Sequence, residues 1–485
     1  MKKIVFLFIV CYFHPGNAQQ NRIYSLQDIV TVATSQSIKS KLASTEQEIS
    51  YFQYLLFKSN FKPQVSLYGN APVYDKQYYG VRQPDGSILY QSINQNNSNI
   101  GFSLSQQLPF SGGLLSLNTN LSRFDDFKAK SVQYSGTPVY LQLNQPLFAV
   151  NELKWQKIIE PLKLEEAKRK YIQEIEDIAK QSVSLYFNVL DAQSNMEMAR
   201  VNMQNTQANH EIEKRRVDLG TTTEDKLLQL ELQVLRSQQE LEKARYDYQI
   251  AQLDLKIFIG INDETNIVLE EPKNIPHLNV DLPKAIAFAK KYRSEFIAFQ
   301  RRVSEAQRDV AIAKAAKQDV QLVASYGLNN AGSTIGHVYQ NPNDQQRFSL
   351  GFNIPIVDWG RRKARYNTAK SIEKLTTTTN QFDEANIYQE IRTLVENIEL
   401  LRTNIILAQK TDTVSRRRFA LANNLYQTGK LSVTDLNLAQ SEKDNSRRTY
   451  MGALRDYWDT YFLLRRVTLY DFEHDTPLIP DKMEN

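Results

Sequence analysis

The sequence predicts an α+β membrane protein with a duplicated unit of strands and long helices, and three observations lead to this fold class. A heptad-like seam runs through residues 153–258 and again through 361–467, which predicts two helical hairpins of unusual length. Segments of about ten residues with alternating apolar and polar side chains precede each hairpin, as in membrane-spanning strands. Landmarks in the two halves recur at one fixed spacing, which indicates an internal duplication.

The N-terminal residues 1–18 have the pattern of a secretory signal peptide. Two lysines precede the apolar run 4–13, and a small-x-small site ends at Ala18, where we expect cleavage. Cys11 follows the bulky Val10, which is not typical of a lipid-bearing cysteine. Cleavage would remove this single cysteine, so we expect packing or oligomerisation, rather than disulfides, to stabilise the mature chain.

Composition and charge narrow the possible functions. The chain has 59 basic and 54 acidic residues, interspersed along the predicted helices, and this balance gives no support for a nucleic-acid partner. Beyond the signal no run of about 20 apolar residues occurs, so no membrane-spanning helix is predicted. The five histidines are scattered, and no metal-ligand spacing, phosphate loop or nucleophile motif occurs. The sequence therefore predicts no enzyme activity, no metal and no cofactor.

The first repeat, 19–270, is predicted to open with a helix and to continue into strands. Residues 24–60 are predicted to be helical, and Ser25 with Asp28 resembles a capping box. Between about 63 and 148 the apolar period changes to two, although an ordinary half-buried sheet would have the same pattern. The alternating apolar positions include Val65, Leu67, Ile100, Phe102, Leu104, Leu115, Leu117, Leu121, Val139, Leu141 and Leu143.

The hairpin 153–258 is predicted from its seam. Small or apolar residues recur in steps of four and three, and the first arm would be roughly 100 Å long as a helix. Gly220 ends that arm, because glycine readily adopts the positive φ that terminates helices. The seam residues are Tyr171, Ile175, Ile178, Ser182, Leu185, Val189, Ala192, Met196, Ala199 and Met203 on the first arm and Leu227, Leu230, Val234, Ser237, Leu241, Ala244, Tyr248, Ala251, Leu255 and Phe258 on the second.

The second repeat, 271–470, is predicted to have the same order of elements. A helix is predicted over 282–318, strands over about 320–357 and a hairpin over 361–467, followed by a tail, 471–485. The seam on the first arm of this hairpin consists of Ile387, Ile391, Leu394, Ile398, Leu401, Ile405 and Ala408.

One constant offset relates the landmarks of the two repeats. Gly220 corresponds to Gly429, and Asp247-Tyr248 corresponds to Asp456-Tyr457. The first repeat has extra residues before its hairpin, including a glycine turn at 111–113, and contains up to four strands against two in the second repeat. Strands in lipid need a closed sheet, which a ring of several chains would provide. The additional strands would either widen this barrel or lie outside the lipid, and the sequence leaves both possibilities open.

These features resemble the TolC-type outer-membrane efflux proteins across nearly all of the mature sequence. Segment 429–436 (Gly-Lys-Leu-Ser-Val-Thr-Asp-Leu) is similar to the family's Gly-x-x-Ser-x-x-Asp-Leu element after a helical turn, and segment 355–361 is similar to its strand-to-helix crossing. The resemblance implies a homotrimer with one shared outer-membrane β-barrel, usually of two strands per half, continued by a periplasmic α-helical barrel. It also implies a passive exit duct for efflux or secretion that works with a periplasmic membrane-fusion adaptor and an inner-membrane transporter.

The resemblance also implies a periplasmic gate beside the second hairpin turn. Asp435 would point into the closed end of the helical barrel, where three copies would form a carboxylate ring. Tyr426 would join the closed-state hydrogen bonds with Asp225 or Lys226 as its partner. The family's second acidic ring falls on Leu438, which departs from the family pattern. The alternative interpretations are a solvated surface acid for Asp435 and a packed aromatic for Tyr426.

The tips of the two hairpins would meet the adaptor. Gly220 and Gly429 end helices on any interpretation, so contact with an adaptor would be their second role. The alternative function is a non-conducting periplasmic coiled-coil scaffold or adaptor, although adaptors usually have one hairpin and lack two sets of strands. The tip residues are Leu219, Gly220, Thr221, Thr223, Gly429, Lys430, Leu431 and Ser432.

Overall fold

The computed structural model describes residues 22–261, 267–316 and 319–479, so the predicted signal peptide lies outside the described residues. The chain divides into two compact units. One, the helical unit, takes its described residues from Met1–Glu46, Arg169–Arg293 and Ile387–Asn485. The other, the sheet unit, consists of Gln47–Lys168 and Ser294–Asn386.

Helices make up most of the described chain. None of the helices in the described ranges is both long and apolar enough to cross a membrane. The helices are α1 (Leu26–Gln36), α2 (Ile38–Ser59), α3 (Glu152–Asp218), α4 (Glu224–Ile259), α5 (Leu282–Tyr292), α6 (Ser294–Ala315), α7 (Ile335–Tyr339), α8 (Arg361–Gln427) and α9 (Val433–Thr468). The strands are β1 (Arg22–Tyr24), β2 (Gln64–Asn70), β3 (Tyr74–Arg82), β4 (Ile88–Gln107), β5 (Leu114–Asp126), β6 (Ser131–Pro146), β7 (Ile267–Leu269), β8 (Asp319–Gly332), β9 (Asn343–Asn353), β10 (Tyr470–Asp471) and β11 (Thr476–Pro477).

The helix lengths confirm the predicted duplication. Helices α3 and α8 each have 67 residues, and α4 and α9 each have 36. The shorter pairs agree as well, since α1 and α5 have 11 residues each and α2 and α6 have 22 each. Each repeat is therefore a short helix pair, a set of strands and a long helical hairpin.

The core of the helical unit follows the predicted seams. Apolar side chains at heptad spacing pack where a neighbouring helix excludes water, and each fully buried Leu or Ile contributes about 1.5–3 kcal/mol to the free energy of unfolding. Buried seam residues include Ile178, Val189, Leu230, Leu241 and Leu255 of the first repeat and Ile387, Ile391, Leu394, Ile398, Ile405 and Ala408 of the second.

The sheet unit contains one antiparallel sheet with the strand order β2-β4-β5-β6-β8-β9. Strand β3 also pairs with β4, along the half of β4 that β2 does not cover. Strand β6 pairs with β8, so the strands of both repeats form a single sheet. The first repeat thus supplies five strands, arranged in four rows because β2 and β3 share one side of β4, and the second repeat supplies two. The sequence predicts up to four strands in the first repeat and two in the second.

Candidate functional site at the hairpin turns

The two hairpin turns have the same backbone structure. After α3 the N–H of Gly220 donates to the carbonyl of Val217 over 2.8 Å, and the N–H of Thr221 donates to that of Arg216 over 2.9 Å. After α8 the N–H groups of Gly429 and Lys430 repeat both bonds, each over 2.9 Å. Both glycines have positive φ, +72° and +77°. Each turn is therefore a Schellman motif, which explains why glycine stands at both positions.

The N-termini of the two return helices differ. Ser432 caps α9: its Oγ accepts the N–H of Asp435 over 3.1 Å and donates to Asp435 Oδ2 over 2.7 Å. Thr223 occupies the corresponding position before α4 but makes no side-chain cap bond. The exposed Asp435 thus has a local role at the positive end of α9, where a carboxylate is stabilising by about 0.3–1 kcal/mol.

Glu213 is the centre of a buried cluster of polar side chains beside the turns. Its side chain is 4% exposed and accepts three hydrogen bonds. Tyr426 Oη donates to Oε2 over 3.0 Å, Arg216 Nη1 donates to the same oxygen over 3.1 Å, and Thr222 Oγ1 donates to Oε1 over 2.6 Å. We call Glu213, Arg216, Thr222 and Tyr426 the Glu213 cluster; it joins the end of α3, the first turn and the end of α8.

Arg216 extends this cluster to the backbone of the second repeat. Its Nη2 donates to the carbonyls of Tyr426 and Gln427, each over 3.0 Å. These carbonyls belong to the last turn of α8, where helical carbonyls have no partner within the helix. One guanidinium therefore neutralises Glu213 and caps the C-terminus of α8, so Arg216 links the two hairpins at their turns.

The electrostatics of the cluster favour an ionised glutamate. Burial raises the pKa of Glu213, but hydrogen bonds from Thr222, Tyr426 and Arg216 outweigh it and hold the pKa below the usual value of 4.5. Burial and the neighbouring carboxylate raise the pKa of the Tyr426 hydroxyl far above its ordinary range. Tyr426 is thus a permanent donor and Glu213 a permanent acceptor at neutral pH.

Tyr426 also belongs to a cluster of buried apolar side chains. The tyrosine is 3% exposed and packs among apolar side chains of α4, α8 and α9. Leu431 and Val433 cover this cluster from the second turn. Its buried members are Leu230, Phe419, Ala422, Tyr426, Leu436 and Ala439. Tyr426 therefore has both a packing contact and a hydrogen-bonding contact.

The structure does not bring the predicted partners of Tyr426 to its hydroxyl. Asp225 and Lys226 are exposed on the first turn of α4, and Asp225 accepts a hydrogen bond from Gln229 over 3.2 Å. The hydroxyl of Tyr426 is bonded to Glu213 instead, on the other side of the Gly220 turn. The pattern did contain a signal for Glu213, since the seam of α3 continues from Met203 in steps of three and four to Thr206, His210 and Glu213. A charged residue on a buried seam needs a partner.

The remaining tip residues are mostly exposed. Leu219 is 77% exposed, and Thr221, Thr223, Gly429 and Lys430 are exposed as well. Leu431 is partly buried because it packs on the apolar cluster. The tips therefore combine two glycine turns with few side chains that are fixed by packing.

Comparison with known proteins identifies the family to which the chain belongs. The sequence profile of the outer membrane efflux protein family matches residues 58–260 and 289–468, which include both hairpins and the whole sheet. The chain belongs to the outer membrane efflux protein family. The turns at Gly220 and Gly429 both lie inside the matched segments of this efflux protein. No curated protein sequence matches the chain.

The fold of this efflux protein is similar to those of solved outer-membrane channels. The Campylobacter jejuni CmeC outer membrane channel matches with a TM-score of 0.68 at 15% identity, covering 94% of this chain and 87% of CmeC. The outer membrane protein VceC from Vibrio cholerae matches with a TM-score of 0.63 at 15% identity, covering 92% and 96%. The open state of the Neisseria gonorrhoeae MtrE outer membrane channel matches with a TM-score of 0.56 at 15% identity, covering 93% and 90%.

Family membership gives the location and general class of the protein. It is an outer-membrane protein of the efflux channel class that extends into the periplasm, with a strand portion and long helices as in its structural relatives. Channels of this family form trimers that work with adaptors and pumps. The family consists of channels rather than enzymes.

Proposed function

We propose that the protein is a passive exit duct for efflux or secretion that works as a homotrimer with a periplasmic adaptor and an inner-membrane transporter. The observation that supports this most strongly is the combination, in one chain, of an antiparallel sheet with many exposed apolar side chains and two helical hairpins of equal length. A periplasmic scaffold or adaptor does not need a sheet with so many apolar side chains exposed. The inner-membrane transporter supplies the energy for transport, and the duct provides the route across the outer membrane.

Electrophoresis of the purified protein separates the duct from a scaffold. A closed barrel resists detergent at room temperature, so the unboiled duct migrates as a folded oligomer and shifts to the monomer position on boiling. A coiled-coil scaffold runs at one position in both samples, and that result would contradict the proposal.

Exposed apolar side chains on α8 support the homotrimer. Leu400, Leu407, Val414 and Leu421 are 57%, 58%, 60% and 60% exposed and recur every seven residues. They lie on a different face from the buried seam residues Ile405 and Ala408. Side chains at this spacing are normally covered by a neighbouring helix. In the homotrimer a helix of the next copy covers this stripe.

The exposed face of α4 is the natural counterpart of that stripe. Leu228, Leu232 and Leu235 are 52%, 55% and 57% exposed and recur in steps of four and three. Because α4 and α8 belong to different hairpins, each copy has one apolar stripe for each of its two neighbours. This arrangement closes a ring instead of stopping at a dimer.

The gate lies at the periplasmic end, where the hairpins turn. The Glu213 cluster ties the two hairpins of one copy together there, and Asp435 contributes a carboxylate to a ring of three copies. Asp225 and Lys226 are exposed beside the first turn. The exposed Leu438 replaces the second acidic ring, so Asp435 has the larger share in ion preference.

Replacement of Asp435 tests its place in the gate. We expect Asp435→Ala to raise the single-channel conductance or change the cation preference, because the substitution removes three carboxylates, one from each copy, from the narrowest part of the duct. The matched control is Asp456→Ala, which removes another exposed acid from the same helix and should leave the ion preference unchanged. Equal effects of both substitutions in planar bilayers would show that Asp435 has no specific role.

The Glu213 cluster should tolerate mild acid. A carboxyl whose pKa is depressed in the closed state stabilises that state fully above its ordinary pKa of 4.5, and the effect is lost as the pH falls through the depressed value. Recordings at about pH 7 and about pH 5.5 should therefore give the same open time, with an increase only well below pH 4.5. A longer open time at about pH 5.5 than at about pH 7 would mean that a group other than Glu213 keeps the gate closed.

The hairpin tips are the docking site for the adaptor. Leu219 offers an apolar side chain that is 77% exposed, and the neighbouring tip residues leave the turn backbone accessible. Thr221, Thr223, Lys430 and Ser432 add polar contacts, while Leu431 fixes the second turn to the apolar cluster. The adaptor thus meets the same turns that form the gate, which couples docking to opening.

A further inference from the structure

The first repeat contains an insertion between its short helices and its long hairpin. In the first repeat the stretch from α2 to α3 covers positions 60–151. The corresponding stretch of the second repeat, from α6 to α8, covers positions 316–360 and is about half as long. Counted back from the hairpins, which have equal lengths, β6 corresponds to β9 and β5 to β8. The additional residues are therefore those of β2, β3 and β4.

The inserted strands belong to the main sheet. Strand β4 pairs with β5 without interruption from Gln95↔Asp126 to Gln107↔Leu114. Strand β2 then pairs with β4 from Gln64↔Ser105 to Asn70↔Asn99. The insertion thus occupies the full length of the β5 edge, which would otherwise be the first edge of the sheet. Strand β3 pairs only with the segment of β4 between Ile88 and Asn96, most of which lies beyond the end of β5.

The insertion has the same two faces as the rest of the sheet. Residues directly opposite in paired strands lie on one face, so the register sorts the side chains. One face is apolar from the insertion to the last strand: Val65 and Leu67 on β2, Ile100, Phe102 and Leu104 on β4, Leu115, Leu117 and Leu121 on β5, Val139, Leu141 and Leu143 on β6, Leu322, Ala324 and Tyr326 on β8, and Phe348, Leu350 and Phe352 on β9.

The opposite face is polar and mostly uncharged; its charged residues are Asp75 of β3, Asp126 of β5, Asp319 of β8 and Arg347 of β9. It carries Gln64 and Ser66 on β2, Ser103 and Ser105 on β4, Ser116 and Asn118 on β5, Tyr140 and Gln142 on β6, Ser325 on β8 and Ser349 on β9. Apolar side chains of the insertion are widely exposed, Val65 by 73% and Phe102 by 54%. An extracellular hairpin outside the lipid would not need this continuous apolar band, whereas a membrane-spanning wall does.

We propose that the insertion is part of the barrel wall, so that each copy contributes six strands and three copies close an eighteen-stranded barrel. The edges of the sheet are β9 on one side and β2 on the other, where β3 continues the edge along the rest of β4. The odd number of antiparallel pairings between β2 and β9 makes these two strands antiparallel to each other. The β2 edge of one copy therefore pairs with the β9 edge of the next, in the same way as every other pair in the wall. This inference rests on the homotrimeric duct proposed above.

The additional strands set the width of the duct and hence the class of cargo. With strands about 4.8 Å apart and tilted by about 40°, eighteen strands give a backbone diameter of about 36 Å, against about 24 Å for twelve. The lumen face consists mainly of Ser, Asn and Gln side chains, which form hydrogen bonds without selecting charge. The wall thus suits bulky polar cargo of either charge, and selection falls to the transporter and to the periplasmic gate.

Disulfide cross-linking between copies tests the strand count. In a chain without its native cysteine (Cys11→Ser), Ser66→Cys on β2 is combined in turn with Arg347→Cys, Ser349→Cys or Asn353→Cys on β9. All four positions lie on the lumen face, and the β9 series samples three registers along that strand. We expect at least one combination to convert most of the protein into covalently linked copies on non-reducing gels, and each single substitution to give none.

The matched control places the first cysteine on β5. Asn118→Cys with the same β9 series should give no linked copies, because β4 occupies the edge of β5. Links from Asn118→Cys and none from Ser66→Cys would overturn the six-strand wall and leave the trimeric duct intact. Heat-modifiable trimers that give no link from either strand would also overturn it. A protein that runs as an unlinked monomer in every sample would overturn the homotrimer itself.

Polymer exclusion on the wild-type protein gives a second measurement that needs no variant. Neutral polymers of graded size, added on the extracellular side of a bilayer, lower the conductance only when they enter the barrel. After allowance for side chains, the eighteen-stranded wall should admit polymers of up to about 25 Å diameter. A cut-off of about 15 Å, which is the corresponding width for twelve strands, would overturn the proposed wall.

Discussion

A channel that has lost the Glu213 cluster is expected to stay open. In Glu213→Gln with Tyr426→Phe, the bonds to the carboxylate disappear and Arg216 is left next to α8 without its anion. Hydrogen bonds to a charged group contribute about 1.5–3 kcal/mol each, so a net loss of about 3 kcal/mol from the closed state is reasonable. That free energy corresponds to a shift of roughly 100-fold in the ratio of open to closed channels. Open probability in planar bilayers measures the shift directly.

A substitution at an exposed acid near the same turn gives the matched control. Asp225→Asn changes a carboxylate on the first turn of α4 that accepts a hydrogen bond from Gln229 and lies outside the Glu213 cluster. It should change the open probability by less than threefold. If Asp225→Asn opened the channel as strongly as the double variant, the gate would depend on total negative charge at the turns and not on the Glu213 cluster.

Loss of the apolar stripe on α8 is expected to dissociate the homotrimer. Leu407→Asp places a carboxylate where a helix of the next copy would cover an apolar side chain, and burial of an unpaired charge costs several kcal/mol in each copy. Since Leu407 is 58% exposed in a single chain, the fold of the monomer should be unaffected. We expect at least a tenfold loss of trimer, measured by mass in detergent, with unchanged helix content by circular dichroism.

The control for this substitution lies on another exposed face of the same helix. Thr413→Asp adds the same charge about one and a half turns further along α8, away from the apolar stripe. It should leave the trimer intact. Dissociation by Thr413→Asp, or stable trimers of Leu407→Asp, would remove the stripe from the interface.

The architecture was predictable because its signals are long and repeated. A seam of apolar residues that keeps its period from Tyr171 to Met203 leaves little choice but a long helix, and the structure has that helix as α3. The constant offset that relates Gly220 to Gly429 also reappears as equal helix lengths. Alternation from Val65 onward likewise predicts up to four strands in the first repeat; the sheet has five from that repeat, because β2 and β3 are separate strands that pair with different halves of β4.

Pairing and polar contacts were less accessible from the sequence. The alternation of apolar and polar residues does not show which strand pairs with β5. Only the register of β4 in the structure shows that the insertion lies next to β5. The partner of Tyr426 was expected after Gly220 and is found before it, at Glu213. A hydrogen bond between residues so far apart in the chain depends on how two hairpins pack, and local periodicity does not encode that. Glu213 did lie in register with the seam of α3, and a charged residue at a buried seam position needs a partner.

Single-channel recording of the wild-type trimer tests the central claim most directly. Purified, heat-modifiable trimers in a planar bilayer, with no adaptor, transporter or nucleotide present, should produce discrete conductance steps that are small and mostly closed at neutral pH. The same trimers should conduct without any energy source once the Glu213 cluster is removed. Persistent silence from folded trimers of both proteins would contradict the conclusion that this chain forms a passive exit duct.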